Sequence, residues 1–164
     1  MFSAVDLAYY IKLDYKEKFN KDIDNITLHK ALYFLFAYWG SFVEKGLQTN
    51  SELVSPYYKK YLFDDEIKAW VYGPVVTSVL EVMNEDVSQF SLECYEIKIL
   101  NKYDDIVMHF ILDVLKDCYD ASAFKLQNLA CQDKCWDSAF SMGEKNHDGV
   151  IDKEHIIREY LYKK

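Results

Sequence analysis

Nine consecutive uncharged residues, Ala31-Leu32-Tyr33-Phe34-Leu35-Phe36-Ala37-Tyr38-Trp39, constrain this chain more than any other feature. With Leu28 and Phe42 added, the apolar positions go almost all the way round a helix. A helix that is apolar on every side has to be enclosed by other elements. The run falls far short of the ~20 residues that span a bilayer. It is therefore expected as the buried central helix of a folded domain, with Thr27 as N-cap and Gly46 as the left-handed exit.

The rest of the chain supplies the enclosure. At 164 residues it suits one domain, 1–164, since no repeat, low-complexity block or Gly/Ser/Pro linker divides it. A first helix is expected from Ser3 to near Asn20, with Asp6 reaching back to the cap and Leu7, Ala8, Ile11 and Tyr15 on one face. Residues 47–65 read as a long loop. Residues 67–72 alternate as a strand, Gly73-Pro74 ends it, and a helix over 75–84 follows because proline suits a first helical position. Tyr95, Ile97 and Ile99 alternate with Glu96 and Lys98, which predicts a second strand. Further helices are expected over 105–119 (Ile106, Phe110, Ile111, Val114 and Leu115 inward), from Ser122, through Trp136, Ala139 and Phe140, and from Asp152 with Ile156, Ile157, Tyr160 and Leu161. The expected fold class is mainly α, a compact helical domain packed around a small two-stranded β-sheet.

Charge narrows the function. The net charge of −8 and the scatter of basic residues, with Arg158 the single arginine, leave no basic stripe for phosphates, so direct nucleic-acid binding is not expected. The amino terminus lacks a basic start and a small-residue cleavage site, which predicts no secretory leader and no membrane association. Cys94, Cys118, Cys131 and Cys135 are too few and too irregular for a disulfide framework, so reduced thiols in a cytoplasm are expected.

Metal and catalytic readings are weaker than structural ones. Cys131-x3-Cys135 with His147 and His155 approaches a zinc spacing, but the second spacer is too long and the interval holds Trp136 and Phe140, which look like core. Glu144 to His155 resembles a calcium loop with Gly149 at its sixth place, yet His155 stands where a bidentate glutamate belongs. His29 and His109 read as satisfied core imidazoles. The acidic groups Asp64-Asp65-Glu66, Glu85-Asp86 and Asp104-Asp105 read as solvated or dipole-matched carboxylates. No nucleophile elbow or phosphate loop can be assembled, so neither a catalytic residue, a metal nor a cofactor is assigned.

From Leu62-Phe63 through Ala69-Trp70-Val71-Tyr72-Gly73-Pro74-Val75-Val76 the chain resembles the Panacea domain, also called the SocA-like domain, of bacterial and prophage proteins. Lys30-Ala31-Leu32-Tyr33 upstream, Leu126 to Trp136 downstream, and Val150-Ile151 to Tyr160-Leu161 at the end agree in order, so the resemblance covers about residues 26–162. It implies a mainly helical protein acting as an antitoxin, whose partner is a toxin encoded beside it; one relative is instead an adaptor that delivers its toxin to a protease. Thr27 and His29 stand where the family often has lysine and glutamine, and the loop 47–61 is longer, which implies an unusual partner.

Ala69, Gly73, Pro74 and Trp136 are read as the structural motif. Tyr33, Trp70 and Tyr72 are the candidate partner-binding residues, because an aromatic face beside a Gly-Pro turn can anchor another protein. The competing class is an acidic phage-type inhibitor, a decoy whose carboxylates imitate nucleic acid toward a nucleic-acid-binding enzyme. Homo-oligomerisation stays open.

Overall fold

The computed structural model describes residues 2–143 and 149–163. The first helix, α1 (Ala4–Phe19), follows Ser3 as expected, but the serine hydroxyl does not cap it; the Ala4 N–H donates to Oδ2 of Asp65 at 3.1 Å. The central helix, α2 (Asn25–Thr49), starts before Thr27: Asp24 is the N-cap and accepts from the N–H and the hydroxyl of Thr27 at 2.8 and 2.6 Å. It also runs through Gly46 and ends at Asn50, which takes the left-handed conformation. Gly46 serves a close approach instead, because a Cβ there would lie 2.1 Å from a methyl of Val54 in the following loop.

α2 is buried on nearly every side, and its Leu28, Leu32, Leu35, Phe36 and Trp39 have almost no exposed surface. Trp39 packs its ring on Tyr58, Phe42 and Phe110 and donates Nε1–H to the Lys59 carbonyl at 2.9 Å. The long loop after α2 is thereby tied to the core, and Lys60 ties it again through Glu44 (3.0 Å) and Glu154 (2.7 Å).

A small antiparallel sheet lies against this helix in the order β2-β1-β3, made of β1 (Ile67–Trp70), β2 (Gly73–Val76) and β3 (Gly149–Val150). Two expectations are corrected here. Gly73-Pro74 does not open a helix: the chain turns back through Val71-Tyr72, and residues 73–76 pair with β1, followed by a short 3₁₀ turn, Thr77–Val79. The expected second strand around Tyr95 is a helix, α3 (Leu92–Leu100), capped by the Ser91 side chain. Tyr95 and Ile99, one turn apart, are buried, while Ile97 is 50% exposed. The period is therefore four, not two.

The remaining helices start close to their expected caps. α4 (Asp105–Asp120) is capped by Asp104, α5 (Ala123–Cys131) by Ser122 and α7 (Lys153–Leu161) by Asp152, with α6 (Lys134–Met142) between the last two. On α4 the buried face is Val107, Ile111, Leu115 and Cys118; Phe110 and Val114 are half-buried and Ile106 points to solvent. The fold is mainly α around a small sheet, which among the described residues has three strands where two were expected. Among the described residues no helix is long and apolar enough to cross a membrane.

The hairpin depends on Gly73. Its φ is +97°, and a Cβ at this position would lie 2.7 Å from Cε of Lys30. Gly73→Val is expected to cost about 2 kcal/mol, from an unfavourable backbone region plus overpacking. Thermal unfolding followed by circular dichroism checks this; a chain of this size should lose roughly 4–8 °C in Tm.

Candidate functional site

The hairpin β1-β2 is held from behind by side chains from three helices. In a two-stranded ribbon every second residue of β2 turns its backbone groups away from β1. On β2 these outward groups are met by α2: the Val76 N–H donates to Nδ1 of His29 (3.2 Å), and Nζ of Lys30 donates to the Pro74 carbonyl (3.0 Å). His29 and Lys30 thus take the place of another strand along this edge. On β1, the Trp70 carbonyl accepts from Nε1–H of Trp136 on α6 at 3.1 Å. Cys131, at the end of α5, lies in the same cluster as Gly73 and Lys30.

Burial sets the electrostatics of this support. It lowers the His29 imidazole to about 4, with the neighbouring Lys30 charge adding to the effect. It also lowers the Lys30 ammonium to about 8, partly offset by Cys131. Both values follow from removing the charged form from water. Because its Nδ1 accepts a hydrogen bond, neutral His29 carries its proton on Nε2, which faces the Met83 sulfur at 2.8 Å.

In front of this support the hairpin tip is open. Trp70, Val71 and Tyr72 are 37%, 60% and 62% exposed. Val150, paired across from Lys68 on β3, is 54% exposed. Ala69 is fully buried, Pro74 is buried, and Trp136 is buried and stacks on Phe140 with ring centroids 4.7 Å apart.

Tyr33 does not join Trp70 and Tyr72. It is fully buried, so the sequence-based assignment of Tyr33 to a partner-facing surface is corrected. Its hydroxyl donates to Oδ2 of Asp133 at 2.5 Å, the Tyr160 hydroxyl donates to the same oxygen at 2.7 Å, and Lys163 reaches the other oxygen. Burial first, and then the neighbouring Tyr160, Cys135 and Asp133, holds the Tyr33 phenol well above its usual value, so it stays a donor. Asp133 was the residue that sequence reasoning missed, since an aspartate before a helix looks like an ordinary cap. It makes no capping bond; Glu159 accepts from the Lys134 and Cys135 N–H groups at 2.9 Å in that role.

The other candidate chemistries resolve into local roles. Cys131 lies beside Lys30 and Gly73, Cys135 lies 3.4 Å from the Tyr33 hydroxyl, and burial pushes the Cys135 thiol up to about 12. Among the described residues no group of three or more His, Cys, Asp or Glu is arranged to hold a metal; His147 and the first part, 144–148, of the calcium-like segment 144–155 lie outside those residues. His109 is exposed, a correction to its expected core position, with Nδ1 2.8 Å from the Asp105 carbonyl of its own helix. Asp64 pairs with Lys153 at 2.8 Å, Asp65 receives the α1 terminus and the Ser78 hydroxyl, and Asp104 caps α4.

No family model matches the chain, and no curated protein or solved structure matches it either. Residues far apart in the sequence meet around the hairpin and Asp133. Lys30 reaches Pro74, Tyr33 and Tyr160 meet on Asp133, Trp136 reaches Trp70, and Val150 pairs with Lys68.

Proposed function

We propose that this protein is a protein-binding antitoxin of a bacterial or prophage-encoded system, acting in the cytoplasm by direct complex formation with a cognate toxin and using no catalytic residue or cofactor of its own. The resemblance to the Panacea domain supports the class. The observation that carries the reading is the hairpin tip, where Val71 and Tyr72 are exposed and Trp70 is partly exposed, on a backbone braced by His29, Lys30 and Trp136. Rigid aromatic anchors lose little conformational freedom on binding and dominate the energetics of tight interfaces. The net charge of −8 would hasten encounter with a basic partner.

Co-expression with the product of the neighbouring reading frame tests this, read by growth rescue and co-elution in size-exclusion chromatography. The double variant Trp70→Ala, Tyr72→Ala is expected to keep a native circular dichroism spectrum and to weaken the complex by about 2 kcal/mol, roughly thirtyfold in Kd. Rescue and co-elution that survive the double variant would remove the hairpin from the interface. Failure to recover any complex would remove the antitoxin reading. The complex is expected to persist in high salt, since an apolar contact is screened little; steep dissociation with salt would favour the acidic decoy.

A further inference from the structure

A second apolar surface is a groove between α2, α4 and α5 with a volume of about 590 Å³. Phe34, Tyr38 and Phe42 line it at successive turns of α2, with Phe110 on α4 and Leu129 on α5. At 1.5 Å per residue the α2 wall is about 12 Å long, roughly two turns of a partner helix. Its rings are fixed: Tyr38 stacks on Phe34 and meets Tyr160 edge-on, and Phe42 packs on Phe110 at 5.5 Å. Tyr38 and Leu129 remain 43% and 44% exposed at its mouth, so the apolar lining is open to solvent.

The rim gives the occupant its charge pattern. Asp117 stands on the α4 wall and Lys125 on the α5 wall. Burial, with Asp117 adding to it, raises the Tyr38 phenol, so its hydroxyl stays a donor at the groove. The walls are helices whose backbone groups are already paired, which leaves no edge for an added strand. A second copy of the chain would bring its own net charge of −8.

We infer that this groove receives one amphipathic helix of the partner protein, its apolar stripe seated on Phe34, Phe42 and Phe110 and a basic side chain set against Asp117. The inference rests on the protein-binding reading and names the element that the partner presents. A fluorescently labelled 18-residue peptide helix with a leucine stripe flanked by arginines, and a counterpart flanked by glutamates, are the probes, with anisotropy as the readout.

The arginine peptide is expected to bind at least tenfold more tightly than the glutamate peptide. Leu129→Glu should reduce its affinity tenfold or more with an unchanged circular dichroism spectrum, and Asp117→Lys should reverse the preference between the two peptides. Equal affinities, no binding of either peptide, or indifference to both substitutions would overturn the inference. So would self-association of the protein that Leu129→Glu abolishes, which would give the groove to a second copy. These probes need no toxin, so failure here leaves the co-elution test of the antitoxin reading intact, and failure of co-elution leaves the groove measured.

Discussion

Replacing Asp133 by alanine is expected to cost about 4 kcal/mol, a large share of the 5–15 kcal/mol that typically separates folded from unfolded chains. The carboxylate is 1% exposed and accepts from the hydroxyls of Tyr33 and Tyr160 while pairing with Lys163. Lys163 is partly exposed and can turn to water, but the two hydroxyls cannot. Each buried donor left without an acceptor costs about 1–3 kcal/mol, and a lost hydrogen bond to a charged group adds to that. Tyr33→Phe or Tyr160→Phe should cost only about 1 kcal/mol each, because Asp133 keeps its other partners. Combining both with Asp133→Ala should therefore cost less than the sum of the three, since no donor is then stranded. Urea midpoints for the four proteins decide this, and an additive triple variant would show that the hydroxyls find other acceptors.

That cluster shows where the sequence stops being readable. Helix starts at Ser122 and Asp152 could be placed because a capping side chain bonds within its own turn, a local event written in adjacent residues. The strand read around Tyr95 failed because so short a segment satisfies both periods: Tyr95, Ile97 and Ile99 alternate, while Tyr95 and Ile99 also lie four apart. Gly73-Pro74 opened a helix on local grounds, but β2 is stabilised by His29 and Lys30, more than forty residues away. Tertiary bonding outweighed propensity there.

The site was legible to the same degree. Trp70 and Tyr72 flank a turn, which could be read. Tyr33 sits in a helix apolar all round, and nothing in such a helix tells which neighbour each face meets. Thr27 and His29 serve the α2 cap and the β2 edge.

His29 should make the protein acid-sensitive in a defined window. In the unfolded chain its imidazole takes up a proton near pH 6.5, whereas burial keeps the folded group neutral down to about 4. A depressed folded value means the contribution is fully present above 6.5 and is lost as the pH falls toward 4, because only the unfolded chain gains the proton in between. The loss across that window should be about 3 kcal/mol. Lys30 works elsewhere: its ammonium is lowered to about 8, so its effect changes only above that pH, where stability rises as the lysine discharges. The carboxylates of Glu44, Glu154 and Glu159, which are held below their usual value, add acid sensitivity at the lower end.

His29→Gln separates these contributions. A glutamine oxygen can accept from the Val76 N–H in place of Nδ1 without titrating, so the variant should keep most of its stability at pH 7 and lose the part of the decline that lies between pH 6.5 and 5, while the carboxylate-driven fall below that remains. Urea midpoints at pH 7, 6, 5 and 4 for both proteins give the difference curve. If that curve is flat, His29 is not buried neutral against β2, and the bracing of the hairpin from α2 would have to rest on Lys30 alone.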